Sequence, residues 1–451
     1  MAALLIRGGR VVTEAGVVEA DVAVEDGVVV GVGDPPGARG EEVDARGLHV
    51  LPGAVDTHVH LNEPGRTDWE GFATGTLAAA AGGTTCVVDM PLNAHPPTVD
   101  AEAFRLKAAA GEAAARTDFA LWGGLVPGGV GRLPELADAG VVGFKAFLCP
   151  SGVDDFPAVD DLTLYEGMRE AAALGLPVAV HAESASITDG LAERARREGR
   201  RGWRDYARSR PVVAELEAIS RALVLAGETG CSLHVVHVSS GRGARLVADA
   251  RARGLDVTCE TCPHYLLLDE DDLEALGAVA KCAPPLRPRA EVEELWTELT
   301  AGRVDLVASD HSPAPGSLKE NEDAFAVWGG ISGCQTLLAA LSTAAPARGL
   351  GAPDVARLVA GAPARRFRLA GKGRIEPGGD ADLVLVDLGA EHELRDEDLR
   401  YRHRHSPFVG RRLRGRVAQT LLRGEPVWRD GRPVGEPRGR LVRPERPAAV
   451  R

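Results

Sequence analysis

The chain has 451 residues, enough for more than one domain, since single cores stop growing near about 250–300 residues. Its formal charge of −13 at pH 7 and its isoelectric point near 5.5 argue against a general affinity for nucleic acids or anionic membranes. The amino-terminal segment MAALLIRGGRVV has no apolar stretch long enough for a signal peptide or a membrane span, so we expect a cytoplasmic protein.

Cysteine and lysine usage is informative. Seven cysteines, an odd number, favour reduced thiols over a disulfide framework. The pair Cys259 and Cys262 in CETC is open to a redox or zinc interpretation, but no second pair accompanies it, and the apolar context favours buried side chains. Basic residues are almost all arginine. Lysine occurs only at positions 107, 145, 281, 319 and 372, which makes each lysine more informative.

Short strands are predicted at both ends of the chain. ALLIRGGRVV, VVEADVAVEDG and VVVGVGD carry β-branched residues between Gly and Asp turn signals, and the same pattern returns in GRIEPGGDADLVLVDL (373–388) and RVAQTLLRGEPVWRDGRPV (416–434). We predict that residues 1–52 and 373–435 meet in one small sheet domain. Residues 436–451 form a basic, Pro-rich tail whose composition favours poor order.

Between these ends, over residues 53–372, strand, loop and helix alternate, which predicts βα units and a parallel sheet. Eight short strand candidates occur there: GAVDTHVH (53–60), TTCVVDMP (84–91), FALWGGLV (119–126), VVGFKAFL (141–148), PVAVHAE (177–183), SLHVVHVSS (232–240), DVTCETCPH (256–264) and DLVASDHSP (305–313). Eight is the number that closes a (β/α)8 barrel.

Polar residues stand where several of these strands end. In a parallel barrel such positions face a shared mouth, where barrel enzymes place their active sites. The first candidate ends in His58-Val59-His60, two imidazoles on the same face of a strand. Other strand ends contribute Lys145, His181, His237, and Asp310 followed by His311. This set of nitrogen and oxygen donors suits zinc, or manganese, iron or cobalt.

Lys145 lies in the apolar run VVGFKAFLCP, where an ammonium is costly to bury. Desolvation and nearby positive charge both lower the pKa of a lysine and favour its free amine. A free amine reacts with CO2, and the resulting carbamate can bridge two cations about 3.5–4 Å apart. The alternative is an ordinary lysine that extends to water at the barrel mouth.

These motifs resemble the cyclic amidohydrolases, the family of dihydroorotase, hydantoinase, dihydropyrimidinase and allantoinase. The resemblance covers nearly the whole chain, from PGAVDTHVHLNEPG through VVGFKAFLCPSG, PVAVHAE, LHVVHVSS and ETCPHYL to ASDHSP and GRIEPGGDADLVLVD. It implies a (β/α)8 barrel, a β-sandwich built from both termini, and a homotetramer. It implies one metal on His58, His60 and Asp310, a second on His181 and His237, and Lys145 as an N6-carboxylysine bridge between them.

The resemblance also implies the reaction. Two divalent ions would share a hydroxide that attacks a cyclic amide, and Asp310 would pass the proton to the leaving ring nitrogen. A non-catalytic scaffold of the same fold is the alternative from another class. Such scaffolds tend to lose ligands, whereas all six positions are filled here.

The choice of ring depends on the loops. HVHLNEPG has Asn62 where similar dihydroorotases carry the arginine of H-x-H-x-R, which disfavours a ring carboxylate. Longer segments, among them NEPGRTDWEGFATGT, DMPLNAHPPT, YARSRPVVAELEAI and YRHRHSPFVGR, resemble the allantoinase branch, which implies hydrolysis of allantoin to allantoate. Hydantoinase, dihydropyrimidinase and dihydroorotase activities remain alternatives.

Substrate contacts are predicted from their places in the loops. The candidates are Asn93, Ser151, Gly152, Cys282 and Ala283. WGGISG (328–333) is either a source of backbone contacts to the ring or a loop hinge. Glu63 and Arg66 are interpreted as loop structure, and His264 as either a support for the metal site or a core residue.

Overall fold

The computed structural model describes residues 4–33 and 40–445. The chain begins with five strands: β1 (Leu4–Thr13), β2 (Gly16–Glu25), β3 (Val28–Gly33), β4 (Glu41–Asp44) and β5 (His49–Pro52). β1, β2 and β3 form an antiparallel meander, and β1 also pairs in parallel with β4 and β5. These strands are the amino-terminal part of the predicted sheet domain.

A parallel barrel follows. Its strands are β6 (Ala54–Val59), β7 (Thr84–Asp89), β8 (Asp118–Leu121), β9 (Gly123–Gly124), β10 (Phe144–Phe147), β11 (Val178–His181), β12 (Leu233–Val235), β13 (Val257–Thr261) and β14 (Leu306–Val307). β8 and β9 are two parts of one barrel strand, interrupted at Trp122. A parallel bridge between Val59 and His311 joins the last strand to the first. The predicted (β/α)8 barrel is therefore confirmed.

Fourteen α-helices lie in the described residues, most of them around the barrel: α1 (Phe72–Ala81), α2 (Ala101–Ala114), α3 (Leu133–Ala139), α4 (Asp161–Leu174), α5 (Ala185–Arg197), α6 (Trp203–Ser209), α7 (Val212–Thr229), α8 (Gly241–Ala252), α9 (Pro263–Leu267), α10 (Glu270–Leu276), α11 (Arg289–Thr300), α12 (Leu337–Ala344), α13 (Ala352–Ala356) and α14 (Ala362–Arg366). The local sequence determines where several of these helices begin and end. The side chains of Asp100 and Asp160 cap α2 and α4, and Gly175 ends α4 in the left-handed conformation.

The chain returns to the first sheet through β15 (Leu383–Glu393), β16 (Arg412–Leu422), β17 (Glu425–Arg429) and β18 (Arg432–Pro433). β15 pairs antiparallel with β5, so both ends of the chain share one nine-stranded sheet. Ile6, Val22, Leu383 and Leu421 are among the fully buried residues of its apolar core. The β-sandwich built from both termini is confirmed, whereas its predicted boundaries at 52/53 and 372/373 stay predictions.

The described part of the carboxyl-terminal tail packs along the barrel. Gly439 N–H donates to the Ala115 carbonyl at 2.8 Å, and Val442 N–H to the Phe119 carbonyl at 2.7 Å. The expected poor order is therefore wrong for residues 436–445, because backbone pairing that composition does not reveal holds them in place. Residues 446–451 lie outside the described residues.

All seven cysteines are free and buried, including Cys259 and Cys262. This agrees with their interpretation as small buried side chains. Among the helices of the described residues, none combines the length and the apolar character that a membrane crossing needs.

Lys372 ties the sandwich to the barrel at the end opposite the mouth. Its ammonium lies 2.6 Å from Asp118 at the start of β8, 2.8 Å from Asp380 and 2.7 Å from Asp382. Arg423 forms a further ion pair with Asp118. Lys372, Asp118 and Asp382 are buried, so the charges depend on one another rather than on water.

We expect Lys372→Met to lower the free energy of unfolding by about 3–5 kcal/mol, because it leaves buried carboxylates without their cation. Urea denaturation measures the change. The control is Arg374→Met, which removes a partly exposed partner of Glu376 (3.0 Å) and should stay within about 0.5 kcal/mol of the parent protein. Equal stability of the two variants would contradict the role given to Lys372.

Candidate metal centre

Three predicted ligands meet where β6 and β14 end. Nε2 of His58 lies 3.2 Å from Oδ1 of Asp310, and Nε2 of His60 lies 3.5 Å from the same oxygen. A metal-ligating atom from each of the three residues lies within 4.8 Å of the other two. All three side chains are buried or nearly so. Their arrangement could hold one metal ion.

Two more histidines join this group from the opposite side of the mouth. His181 ends β11, and His237 follows β12 with a φ of 39°. The ring centroids of His181 and His237 are 4.6 Å apart, and those of His237 and His58 are 5.4 Å apart. Nδ1 of His237 is buried and has no hydrogen-bond partner within the described residues. The structure thus brings the four predicted histidines together.

Lys145 extends from β10 into the same region. It is fully buried, and its Nζ has no hydrogen-bond partner among residues 4–33 and 40–445. Its Nζ lies over the ring of Phe147, 5.0 Å from the ring centroid. Burial lowers the pKa of Lys145 to about 8, although the charges of Asp310 and Glu260 oppose the shift. The free amine is therefore far more populated than in an ordinary lysine, at about one tenth of the side chain at pH 7.

The protonation states of the cluster suit cation binding. Burial lowers the pKa of His60, His181 and His237, so these imidazoles are neutral and keep a lone pair. Burial alone would raise the pKa of Asp310, but His58 and His60 outweigh it and hold that pKa at about 2. Neutral imidazoles beside an ionised carboxylate are ligands that divalent metals prefer.

Two buried glutamates orient the histidines from behind. Oε1 of Glu260 lies 2.5 Å from Nδ1 of His58, and its Oε2 lies 3.1 Å from Nε2 of His234. Glu183 contacts Nε2 of His181 at 2.7 Å and also accepts from Arg210 at 3.0 Å. Each carboxylate leaves the other nitrogen of its histidine available. The sequence reasoning missed both glutamates, although each stands at or next to the end of a barrel strand, in ETCPHYL and VAVHAE.

A cavity of about 470 Å³ opens over the cluster. The five predicted substrate contacts all line it: Asn93, Ser151, Gly152, Cys282 and Ala283. The amide of Asn93 also lies 3.2 Å from Nδ1 of His60. The hydroxyl of Ser151 donates to the Phe156 carbonyl at 2.6 Å, so it holds its own loop. The volume is in the range of small-molecule sites.

Other candidates from the sequence lie beside the cavity. The side chain of Asn62 donates to the Pro313 carbonyl at 3.4 Å. Glu63 accepts from the first N–H of α1 at 2.8 Å, and Arg66 pairs with Asp155 at 3.3 Å, which agrees with their interpretation as loop structure. Nδ1 of His311 accepts from Gly333 N–H at 3.2 Å. These residues shape the loops and do not join the histidine cluster.

His264 is buried next to Tyr265, with ring centroids 4.2 Å apart. Burial lowers its pKa to about 4, and its Nε2 has no hydrogen-bond partner within the part of the chain that the structure describes. Its burial agrees with the interpretation as a core residue, and its place close to Asp310 agrees with the interpretation as a support for the metal site.

A parallel barrel with histidines and a carboxylate at its mouth defines a barrel protein whose metal-ligating groups lie where barrel enzymes place their active sites. The model of the amidohydrolase family matches residues 49–427. The chain belongs to that family.

Relatives and solved structures agree with this assignment. The chain is 63% identical over 445 residues to an allantoinase of Rubrobacter xylanophilus, with 98% of each protein covered. It is 55% identical to an allantoinase of Solibacter usitatus, covering 99% of this chain and 98% of that protein. The structure of the L-hydantoinase from Arthrobacter aurescens aligns with a TM-score of 0.95 at 35% identity, covering 98% of this chain and 100% of that one.

We expect Glu260→Gln to weaken zinc binding by about 10–100-fold, because a carboxylate behind a metal-binding histidine fixes its orientation and its tautomer. Titration of metal-free protein against a chelating indicator measures the affinity. The matched control is Glu298→Gln, another buried carboxylate, which pairs with Arg303 and with Arg245 at 3.2 Å away from the cluster. Unchanged affinity in Glu260→Gln would contradict its orienting role.

Proposed function

We propose that the protein is a metal-dependent cyclic amidohydrolase that opens the hydantoin ring of allantoin to give allantoate. The observation that carries the proposal is the meeting of four histidines and Asp310 near a buried lysine that has no hydrogen-bond partner within the described residues. The substrate is supported by the allantoinases that are 44–63% identical to this chain over almost its full length.

The residues fit two metal ions. His58, His60 and Asp310 would hold the first, and His181 and His237 the second. Two observations support this assignment: Nδ1 of His237 and Nζ of Lys145 are buried and have no hydrogen-bond partner in the part of the chain that the structure describes, and the neighbouring imidazoles are neutral. Zinc suits these ligands best, although manganese, cobalt and iron accept them too.

Lys145 would link the two proposed metal sites as a carbamate. Its neutral free amine would form a bond from nitrogen to the carbon of CO2 and release one proton to solvent, which turns a neutral group into an anion with two oxygens. The low pKa of about 8 supports the first step, and the full burial of the side chain explains why an ammonium is disfavoured there.

Asp310 is the general base and acid of the proposal. When bound, the metal ions would lower the pKa of a water molecule and polarise the amide carbonyl. Asp310 is ionised, and its Oδ1 lies within 3.5 Å of both His58 and His60, so it can take the water proton and deliver it to the leaving ring nitrogen.

The cavity walls would select the ring. Backbone and side-chain groups of Asn93, Ser151, Gly152, Cys282 and Ala283 line the space beside the cluster. Asn62 binds the Pro313 carbonyl and brings no cation toward a ring carboxylate, which supports allantoin over dihydroorotate.

Two further properties belong to the proposal. A cytoplasmic location is supported by the seven free, buried cysteines, which suit a reducing compartment. A homotetramer is supported by family resemblance and by exposed apolar residues on neighbouring helices, Leu162 of α4 with Val213 and Val224 of α7.

The first test is a panel of cyclic amides given to the purified, metal-loaded protein. We expect allantoin to have the highest kcat/KM, with hydantoin, dihydrouracil and dihydroorotate at least about tenfold lower, a difference of about 1.4 kcal/mol in transition-state binding. Release of allantoate and of the other ring-opened products is followed by chromatography. Good turnover of another ring without turnover of allantoin would refute the substrate assignment.

The second test is Lys145→Ala. We expect kcat/KM to fall by about 10³-fold or more, because a bridging ligand and several kcal/mol of transition-state stabilisation are lost. Metal analysis should show fewer than two ions per chain, and acetate or propionate should restore part of the activity. Asp310→Asn is the control, since short acids should not rescue a missing proton carrier. Full activity of Lys145→Ala without added acid would exclude the bridge.

A further inference from the structure

Two buried lysines contact one wall of the cavity and take no part in the proposed chemistry: Lys281 lines the cavity beside this wall, and Lys319 lies behind it. The wall is the segment 326–330, all of which lines the cavity. Lys281 begins KCAPP, and Lys319 lies in the loop that follows the last barrel strand. Both are at least nine-tenths buried.

Lys319 binds three backbone carbonyls with one ammonium. Its Nζ donates to Ala278 at 3.1 Å, to Trp328 at 3.0 Å and to Gly330 at 2.7 Å. An ammonium has three N–H donors, so all of them are used. The contacts join the loop before Lys281 to the cavity wall.

Lys281 braces the same wall from a second side. Its Nζ donates to the Val327 carbonyl, and its own carbonyl accepts from Gly330 N–H at 2.8 Å. The ammonium lies 4.5 Å from the ring centroid of Tyr206, whose hydroxyl donates to the Cys282 carbonyl at 2.9 Å. The wall is thereby fixed relative to Cys282, a predicted substrate contact.

The charge environment of Lys281 and Lys319 differs from that of Lys107 and Lys372. Lys107 pairs with Asp89 at 2.6 Å, and Lys372 pairs with three aspartates. Within the described residues, neither Lys281 nor Lys319 forms an ion pair with a carboxylate. Burial lowers both pKa values to about 7, and for Lys281 the charge of Lys319 adds to the effect. Two buried amino groups without a carboxylate partner are costly to the fold, which points to a role outside stability.

The bracing directs one peptide group of the wall. Carbonyl and N–H point in opposite directions in a trans peptide, so the Gly329 N–H is aimed away from the Lys319 that binds the Trp328 carbonyl. This N–H has no hydrogen-bond partner among residues 4–33 and 40–445, and Gly329 lines the cavity. It is a free donor at the wall.

We infer that Lys281 and Lys319 are positioning residues that hold the 326–330 wall so that the Gly329 N–H donates to an oxygen of the bound ring or its substituent. The inference rests on the proposed function, because it describes how the proposed active site binds its cyclic amide substrate. Neither lysine touches the reacting atoms, and both act through the shape of the wall.

The test uses Lys319→Met and Lys281→Met in the metal-loaded enzyme with allantoin as substrate. Each should lower kcat/KM by about tenfold, mostly through a higher KM, because the variant loses a directed hydrogen bond to the substrate and the order of the wall. Metal content should stay at the parent level. Lys319→Arg should not rescue, because a planar guanidinium cannot serve three converging carbonyls.

A second readout does not depend on activity. Hydrogen–deuterium exchange of peptides spanning 326–331 should be faster in Lys319→Met, and allantoin should protect them less than in the parent protein. Lys372→Met is the matched control: it removes a buried lysine at the far end of the barrel and should lose stability while keeping KM within about twofold.

The outcomes separate the two proposals. If the parent protein does not turn over allantoin, the proposed function fails, and wall exchange still reports whether the lysines order 326–330. If the parent enzyme is active but both methionine variants keep KM within twofold of it, the positioning role is wrong. Equal rises in KM for Lys319→Met and Lys372→Met would also overturn it, because general destabilisation would then explain the effect.

Discussion

The structure depends on the burial of an amine that nothing in the described chain compensates. Lys145 sits in a closed barrel strand, with Phe144 and Phe147 in the same strand and no hydrogen-bond acceptor for its nitrogen. A permanent ammonium there would also repel any cation held by the four histidines. The conflict disappears when the nitrogen is uncharged or is converted to an anion. The apolar strand, the neutral imidazoles and the ionised Asp310 are therefore parts of one electrostatic arrangement.

The same reasoning sorts all five lysines of an arginine-rich chain. Each of the five is buried, which is unusual for lysine. Lys107 and Lys372 have carboxylate partners and stabilise the barrel and its junction with the sandwich. Lys145, Lys281 and Lys319 have no carboxylate partner among the described residues, and all three lie near the barrel mouth, where Lys281 lines the cavity. Lysine occurs here where the geometry or the reactivity of its amino group has a use. In a chain with so few lysines, each one therefore indicates a structural or functional site.

The sequence could predict what is local to a strand. Histidines at strand ends project to the mouth of any parallel barrel, so His58, His60, His181 and His237 were found from position alone, and family resemblance added their roles. What depends on long-range packing was not predictable. Glu260 reaches His58 across 202 positions of the chain, and the bracing of the 326–330 wall depends on loop conformations that have no periodic pattern. The tail was misjudged for the same reason, since its pairing with the barrel uses backbone groups.

The two ends of the barrel divide stability and chemistry between them. At the start of β8, Asp118 meets Lys372 and Arg423, and the opposite charges satisfy one another. At the mouth, buried nitrogens of Lys145 and His237 have no hydrogen-bond partner within the described residues, and the amino groups of Lys281 and Lys319 contact carbonyls and a tyrosine ring but no described carboxylate. Buried polar groups without hydrogen-bond or charge partners destabilise a fold unless a ligand supplies those partners. Binding of metal ions and substrate at the mouth should therefore raise the free energy of unfolding as well as begin the reaction. The bound groups would supply hydrogen-bond and charge partners that the described residues do not.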